Sequence, residues 1–128
     1  MSSFAPVNAS FEVYSDNRST SAKAVGPITG STFVKLVAGG TFQQPNVATC
    51  GAGEQAFGIA GYDAVDGEIF PVHQIGTHTV KAGTALTVPS QVQSDAAGKA
   101  VAVSTGKRLG QIEHDAALNA DVAVRLSL

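Results

Sequence analysis

The chain has 128 residues, of which 44% are hydrophobic and 14% charged, with a formal net charge of −2. That length supports one domain with one real core, and the low charge excludes a disordered chain, which would be charge-rich and apolar-poor. Lys plus Arg is 8 with no basic run beyond Lys107-Arg108, so no nucleic-acid partner is expected, because holding several phosphates needs a basic face. In chain order, residues 1–30 read as an extended N-terminal arm. Ser10–Tyr14 fits one strand, Ser15–Ala22 is a polar run, and Gly26-Pro27 and Gly30 punctuate the chain before Phe33. Phe4, Phe11, Val13 and Tyr14 lie in this arm, which is too interrupted to close a core of its own.

Residues 31–128 read as a single β domain. Strands are expected at Phe33–Ala38, Phe57–Ala60, Glu68–Ile75, Thr77–Lys81, Ala85–Val88, Lys99–Val103, Leu109–Glu113 and Asp121–Leu126. The last is the cleanest, with Val122, Val124 and Leu126 on one face and Asp121, Ala123 and Arg125 on the other. Asp66-Gly67, Ala82-Gly83, Asp95–Gly98 and Thr105-Gly106-Lys107 supply the turns. Short strands separated by such turns predict an all-β barrel or sandwich. Pro71 cannot donate to a ladder, so its strand is expected at an edge or at a bulge.

The connector Gly39–Gly53 is long and Gly-rich, as functional loops often are. Gly58-Ile59-Ala60-Gly61-Tyr62-Asp63-Ala64 lines up with Gly110-Gln111-Ile112-Glu113-His114-Asp115-Ala116. Each ends in Asp-Ala, then a turn, then an apolar strand, which suggests a barrel built from similar halves.

No constellation of catalytic residues rises above background. Gly51-Ala52-Gly53-Glu54-Gln55-Ala56 fits a dinucleotide fingerprint formally, but Gly58 and Gly61 oppose the helix that fingerprint needs, so it reads as a loop. Neither a P-loop nor a G-x-S-x-G elbow occurs. His73 and His78 are an odd number apart and on a continuous strand would face opposite ways. With His114 and the single thiol Cys50, they do not make a zinc set. Asp63–Glu68 lacks calcium-loop spacing, and Asp66-Gly67 reads as a hairpin turn. Cys50 has no base beside it in sequence and reads as a packed thiol. No enzyme, cofactor or metal is expected. A lone cysteine fits a reducing cytosol. No apolar stretch approaches the ~20 residues of a membrane helix. Asn8-Ala9-Ser10 and Asn17-Arg18-Ser19 match the glycosylation sequon, but Met1–Ser10 has no signal-peptide pattern to route them to glycosylation.

The run Val80-Lys81-Ala82-Gly83-Thr84-Ala85-Leu86, then Ala97–Val103, Leu109-Gly110, Asp115-Ala116-Ala117 and Val122–Leu126 resembles the capsid cement, or head decoration, family of tailed bacteriophages. Phe57–Gly67 resembles that family's first hairpin, so the likeness covers roughly residues 55–128. The resemblance implies a structural virion protein, made in the bacterial cytoplasm, that binds the outside of the phage head, reinforces the major capsid protein lattice and is commonly a homotrimer. On this reading Phe4, Phe11, Val13 and Tyr14 of the arm, with Phe42 and Pro45 of the Gly-rich connector, face the shell or a neighbouring subunit. A receptor- or glycan-binding β module of a virion is the alternative, but it predicts an aromatic platform, and Trp is absent. A small hydrolase would need an acid, base and nucleophile together, which the sequence does not assemble.

Overall fold

The computed structural model describes residues 19–128. They form β1 (Ser19–Ala24), β2 (Phe33–Val37), β3 (Asn46–Thr49), β4 (Gly58–Ala60), β5 (Ile69–His73), β6 (Thr77–Lys81), β7 (Gln91–Ser94), β8 (Ala100–Ala102), β9 (Gly110–Ile112) and β10 (Asp121–Leu126). No helix occurs among the described residues, and the chain is all-β. Strands β1–β5 close a barrel in the order β1-β3-β2-β4-β5. Strands β6–β10 form a second five-stranded sheet, β6-β10-β9-β7-β8, whose outer strands meet at the parallel bridge Ala82↔Ala100.

The two sheets are one pattern used twice. Ser19↔His73 through Lys23↔Ile69 in β1 and β5 corresponds to Thr77↔Arg125 through Lys81↔Asp121 in β6 and β10. Phe33↔Ile59 corresponds to Gln91↔Gln111, and Val34↔Thr49 to Val92↔Ala102. The repeated Asp-Ala has one role in both copies. Asp63 Oδ1 accepts from Gly30 N (2.8 Å), and Asp115 Oδ1 accepts from Val88 N (2.8 Å). Ala64 and Ala116 then bridge Ile28 and Leu86. After the Asp-Ala, Gly67 (φ 86°) and Asn119 (φ 66°) both take the left-handed conformation that turns the chain into β5 and β10.

Ala22, Ala24, Ile28, Val34, Val47, Ala60, Ala64, Phe70 and Val72 fill the first barrel. The second core holds the corresponding residues of β6–β10, and the first half adds Phe33, Cys50, Ala56 and Ile59 to it. Strands β2 and β4 are therefore covered on both faces, with Phe33, Val34, Ile59 and Ala60 at most 1% exposed. Double coverage is what makes a strand sequence continuously apolar.

The halves differ at one seam. In the first, Lys23 N donates to Pro45 O (2.9 Å) and Val25 N to Val47 O (2.8 Å), closing β1 onto β3. In the second, Gly83 N donates to Ala100 O (2.7 Å), matching the latter bond, but Lys81 N donates to Ser31 O (2.9 Å) instead. Gly98 O, the counterpart of Pro45 O, accepts from Phe33 N (2.7 Å). The segment Ser31–Phe33 is thus wedged into the second seam and delivers the Phe33 ring to the second core.

Three strands depart from the sequence reading. The stretch 19–30, assigned there to the arm, supplies β1 and the Ile28 bridge of the barrel. Ala22 and Ala24 face inward while Ser21 and Lys23 face out, an alternation that small residues disguise. The connector Gly39–Gly53 contains β3, and β7 is a strand despite its polar sequence. In β7 the buried Gln93 is satisfied because its Oε1 accepts from Ser104 N and Gly106 N, both at 2.9 Å. Ala85–Val88 forms no strand and contributes only Leu86 to a bridge. Nor is β5 an edge, since β1 and β4 flank it. Pro71 is tolerated because its carbonyl, which accepts from Gly61 N (2.9 Å), points past the end of β4.

Candidate functional site

Two adjoining depressions on the first barrel share Leu36, Phe57 and Gln74. The larger, about 760 Å³, is also bounded by Lys35, Glu54, Ala56, Ile75 and Leu128. The smaller, about 560 Å³, is a slot between Thr20 of β1 and the β2–β3 connection from Val37 to Asn46. Their walls carry Leu36, Ile75 and Leu128, each 43–55% exposed, and Phe42, which is 94% exposed. Apolar groups gathered on one face mark an interaction surface, whereas the same groups scattered would not.

Local chemistry explains how Phe42 is held out. Thr41 N donates to Gln44 O (3.1 Å) and Gln44 N to Thr41 O (3.2 Å), so residues 41–44 form a tight turn with Phe42 near its tip. Gly39 takes φ 100°, and a side chain at Gly40 would run into Asn46 N and Pro45 Cα. Pro45 is half-buried at the base of the turn, where its carbonyl joins the seam. At the far rim, Lys35 Nζ meets Glu54 Oε1 at 2.8 Å, and Gly51 N donates to the same oxygen at 2.8 Å. The hydrogen bond to Glu54 raises the Lys35 ammonium above its ordinary value. The bonds from Lys35 and then Gly51 hold the Glu54 carboxyl below its own.

Phe42 and Pro45, chosen from sequence, stand together at the slot. Phe4, Phe11, Val13 and Tyr14 lie outside the described residues. Leu36, Phe57, Ile75 and Leu128 were missed. Leu36 and Ile75 were legible only as apolar residues in expected strands, and Phe57 and Leu128 reach the same surface through distant parts of the chain.

Among the described residues, the polar groups singled out from the sequence do not come together in one place. Cys50 is buried, its thiol raised above the ordinary value by burial, and its Sγ lies 3.5 Å from Glu54 O. Gly51–Ala56 is a loop. His73 and His78, which would face opposite ways on a continuous strand, are stacked, with centroids 4.3 Å apart and planes at 6°. The turn at Gly76 (φ 96°) breaks the strand between them. Imidazole lone pairs lie in the ring plane, so two rings stacked nearly parallel do not converge on one ion. Burial and then His78 lower the imidazole of His73 below its ordinary value. His114 Nε2 accepts from Ala123 N (3.1 Å), which puts the ring proton on Nδ1, donating to Asp115 O (2.9 Å). Among the described residues no three His, Cys, Asp or Glu side chains gather as metal ligands.

The fold is similar to that of the N base of head fiber gp8.5 in bacteriophage phi29. That likeness has a TM-score of 0.73 and 17% identity, and covers 86% of this chain and 93% of that one. A comparison with curated proteins gives no match. The family model described as phage cement protein matches residues 15–128, which span both halves of the repeat. The chain therefore belongs to the phage cement protein family and is a structural protein of the phage capsid.

Proposed function

We propose that this protein, as a homotrimer, binds the outer surface of the major capsid protein lattice and stabilises the mature head without catalysing a reaction. The observation that carries this reading is the exposed apolar surface of Leu36, Phe42, Ile75 and Leu128 in a chain of the cement family. Burying each such side chain contributes about 1.5–3 kcal/mol. A trimer multiplies modest contacts through effective concentration, and a ligand that binds only the assembled lattice stabilises it by linkage.

Co-sedimentation with undecorated heads tests this. Phe42→Asp, at a residue 94% exposed, leaves the fold intact and weakens attachment about tenfold or more, the effect of roughly 1.4 kcal/mol. Attachment by Phe42→Asp and by a Leu36→Asp/Phe42→Asp double variant at the level of the unaltered protein would overturn the assignment of this surface. No binding of the unaltered protein to heads would overturn the capsid reading itself.

A further inference from the structure

Resting on the capsid reading above, we propose that the larger depression on the first half is a socket for an extended segment of the major capsid protein bearing one large apolar side chain. Strand register sets each wall residue against a counterpart in the second half. Leu36, opposite Val47, corresponds to Ser94, opposite Ala100. Phe57, whose N donates to Val34 O (2.7 Å), corresponds to Leu109, whose N donates to Val92 O (2.8 Å). Gln74 follows His73 as Leu126 follows Arg125, where β5 and β10 pair with β4 and β9. Leu36, Phe57 and Gln74 all line the depression of about 760 Å³. Their counterparts sit where the second half receives the first. Leu109 lies in one buried cluster with Phe33, Cys50, Ala56 and Ile59, and Leu126 packs against that cluster. Ser94 O accepts from Gly53 N (2.9 Å). The depression is thus the first half's copy of a socket that the second half uses.

What the second socket takes defines what suits the first. It holds backbone from outside its own sheet, hydrogen-bonded to Ser94 O, together with the apolar side chains of Phe33 and Ile59. Leu36 O stands two residues beyond Val34 O on β2, so strand alternation points it to the same side, toward the depression. A guest amide can donate there as Gly53 N does to Ser94 O. Main-chain bonds of that kind give affinity, and a pocket for a side chain gives specificity. The first socket is also more apolar than the second. Leu36 replaces Ser94, and residues 38–45, which carry Phe42, stand where the second half has only residues 96–98. Lys35 and Glu54 pair with each other at the rim (2.8 Å), so the guest needs no charge. A second copy does not supply such a guest by the same contact. The sites of Phe33 and Ile59 are Gln91 and Gln111 in the second half, and two amides pressed on Leu36 and Phe57 would be buried at a cost. The guest is then a different protein, and for a cement-family chain that protein is the capsid subunit beneath it.

The test places a photoreactive benzoylphenylalanine at Gln55, an exposed residue at the edge of the depression. The full-length protein, as an equal mixture of ¹⁵N-labelled and unlabelled chains, is bound to undecorated heads and irradiated. The expected products are crosslinks to one stretch of the major capsid protein that contains a large apolar residue. A synthetic peptide of that stretch, at millimolar concentration, is expected to displace the protein from heads. The same peptide with Ala at the large apolar position should need about tenfold more. Crosslinks to residues 1–18 of the same chain would show that the chain fills its own socket, and mixed-isotope crosslinks that a second copy does. Either would overturn the inference. So would crosslinks to several capsid stretches, no crosslink on decorated heads, no displacement by the peptide, or equal displacement by both peptides. Heads that bind the protein without the expected crosslink sink the socket alone, whereas heads that do not bind it sink the capsid reading as well.

Discussion

The two halves of the molecule share strand order, register and turn hydrogen bonds, yet they meet their surroundings differently. In the first, the cross-strand pair Phe33–Ile59 is buried and packs against the second core. In the second, the corresponding pair is Gln91–Gln111, and it is exposed. The first half inserts into the seam of the second, and the second presents two glutamines where a third unit would attach. Topology is thus set by the repeated residues, and association by what replaces an apolar side chain at corresponding sites. A head-to-tail contact that did not stop would grow into a filament.

That contrast predicts a large asymmetry. Phe33→Ala removes a ring that is 0% exposed and is expected to cost about 3–5 kcal/mol. Gln91→Ala at the corresponding site is expected to stay within about 0.5 kcal/mol. Denaturant unfolding of both variants measures the difference, and comparable losses would break the comparison. Where the halves agree, the losses should agree. A methyl at Gly58 would press on His73 O and Val72 Cγ1, and one at Gly110 on Arg125 O and Val124 Cγ1. Each Gly→Ala change is expected to destabilise by about 1–3 kcal/mol, again by denaturant unfolding. A silent change at one glycine would show that the repeat is geometric without being energetic.

The smallest effect concerns the junction between β5 and β6. Burial and the stacked His78 disfavour the charged form of His73. Its folded pKa lies below its unfolded value of about 6.5, so in that window the unfolded chain binds more protons. Stability is therefore expected to decline as pH falls below about 6.5. His73→Gln should flatten that slope in thermal melts at pH 5 to 7. An unchanged slope would remove His73 from the account.

Much of this was legible in the sequence where a residue's role was local. The alternation of Asp121–Leu126 gave β10, and the doubled Gly-to-Asp-Ala run marked the repeat. Its glycine, aspartate and alanine do the same work in each copy, namely close strand approach, a turn acceptor and a bridge. Strands β1 and β7 escaped because their inward residues are Ala22 and Ala24, or a glutamine and a serine whose partners lie elsewhere in the fold. The stacking of His73 on His78 depended on a left-handed glycine between them. The apolar surface was half legible, since Phe42 and Pro45 stand in one Gly-rich loop while Leu36, Ile75 and Leu128 converge only in three dimensions.

A cryo-electron-microscopy map of native heads carrying this protein tests the central claim most directly. The account predicts density for the chain on the outer shell, with the face of Leu36, Phe42, Ile75 and Leu128 against the major capsid protein. The exposed Gln91–Gln111 face should point away from the lattice. A map with the glutamine face against the shell and Phe42 in solvent would contradict it.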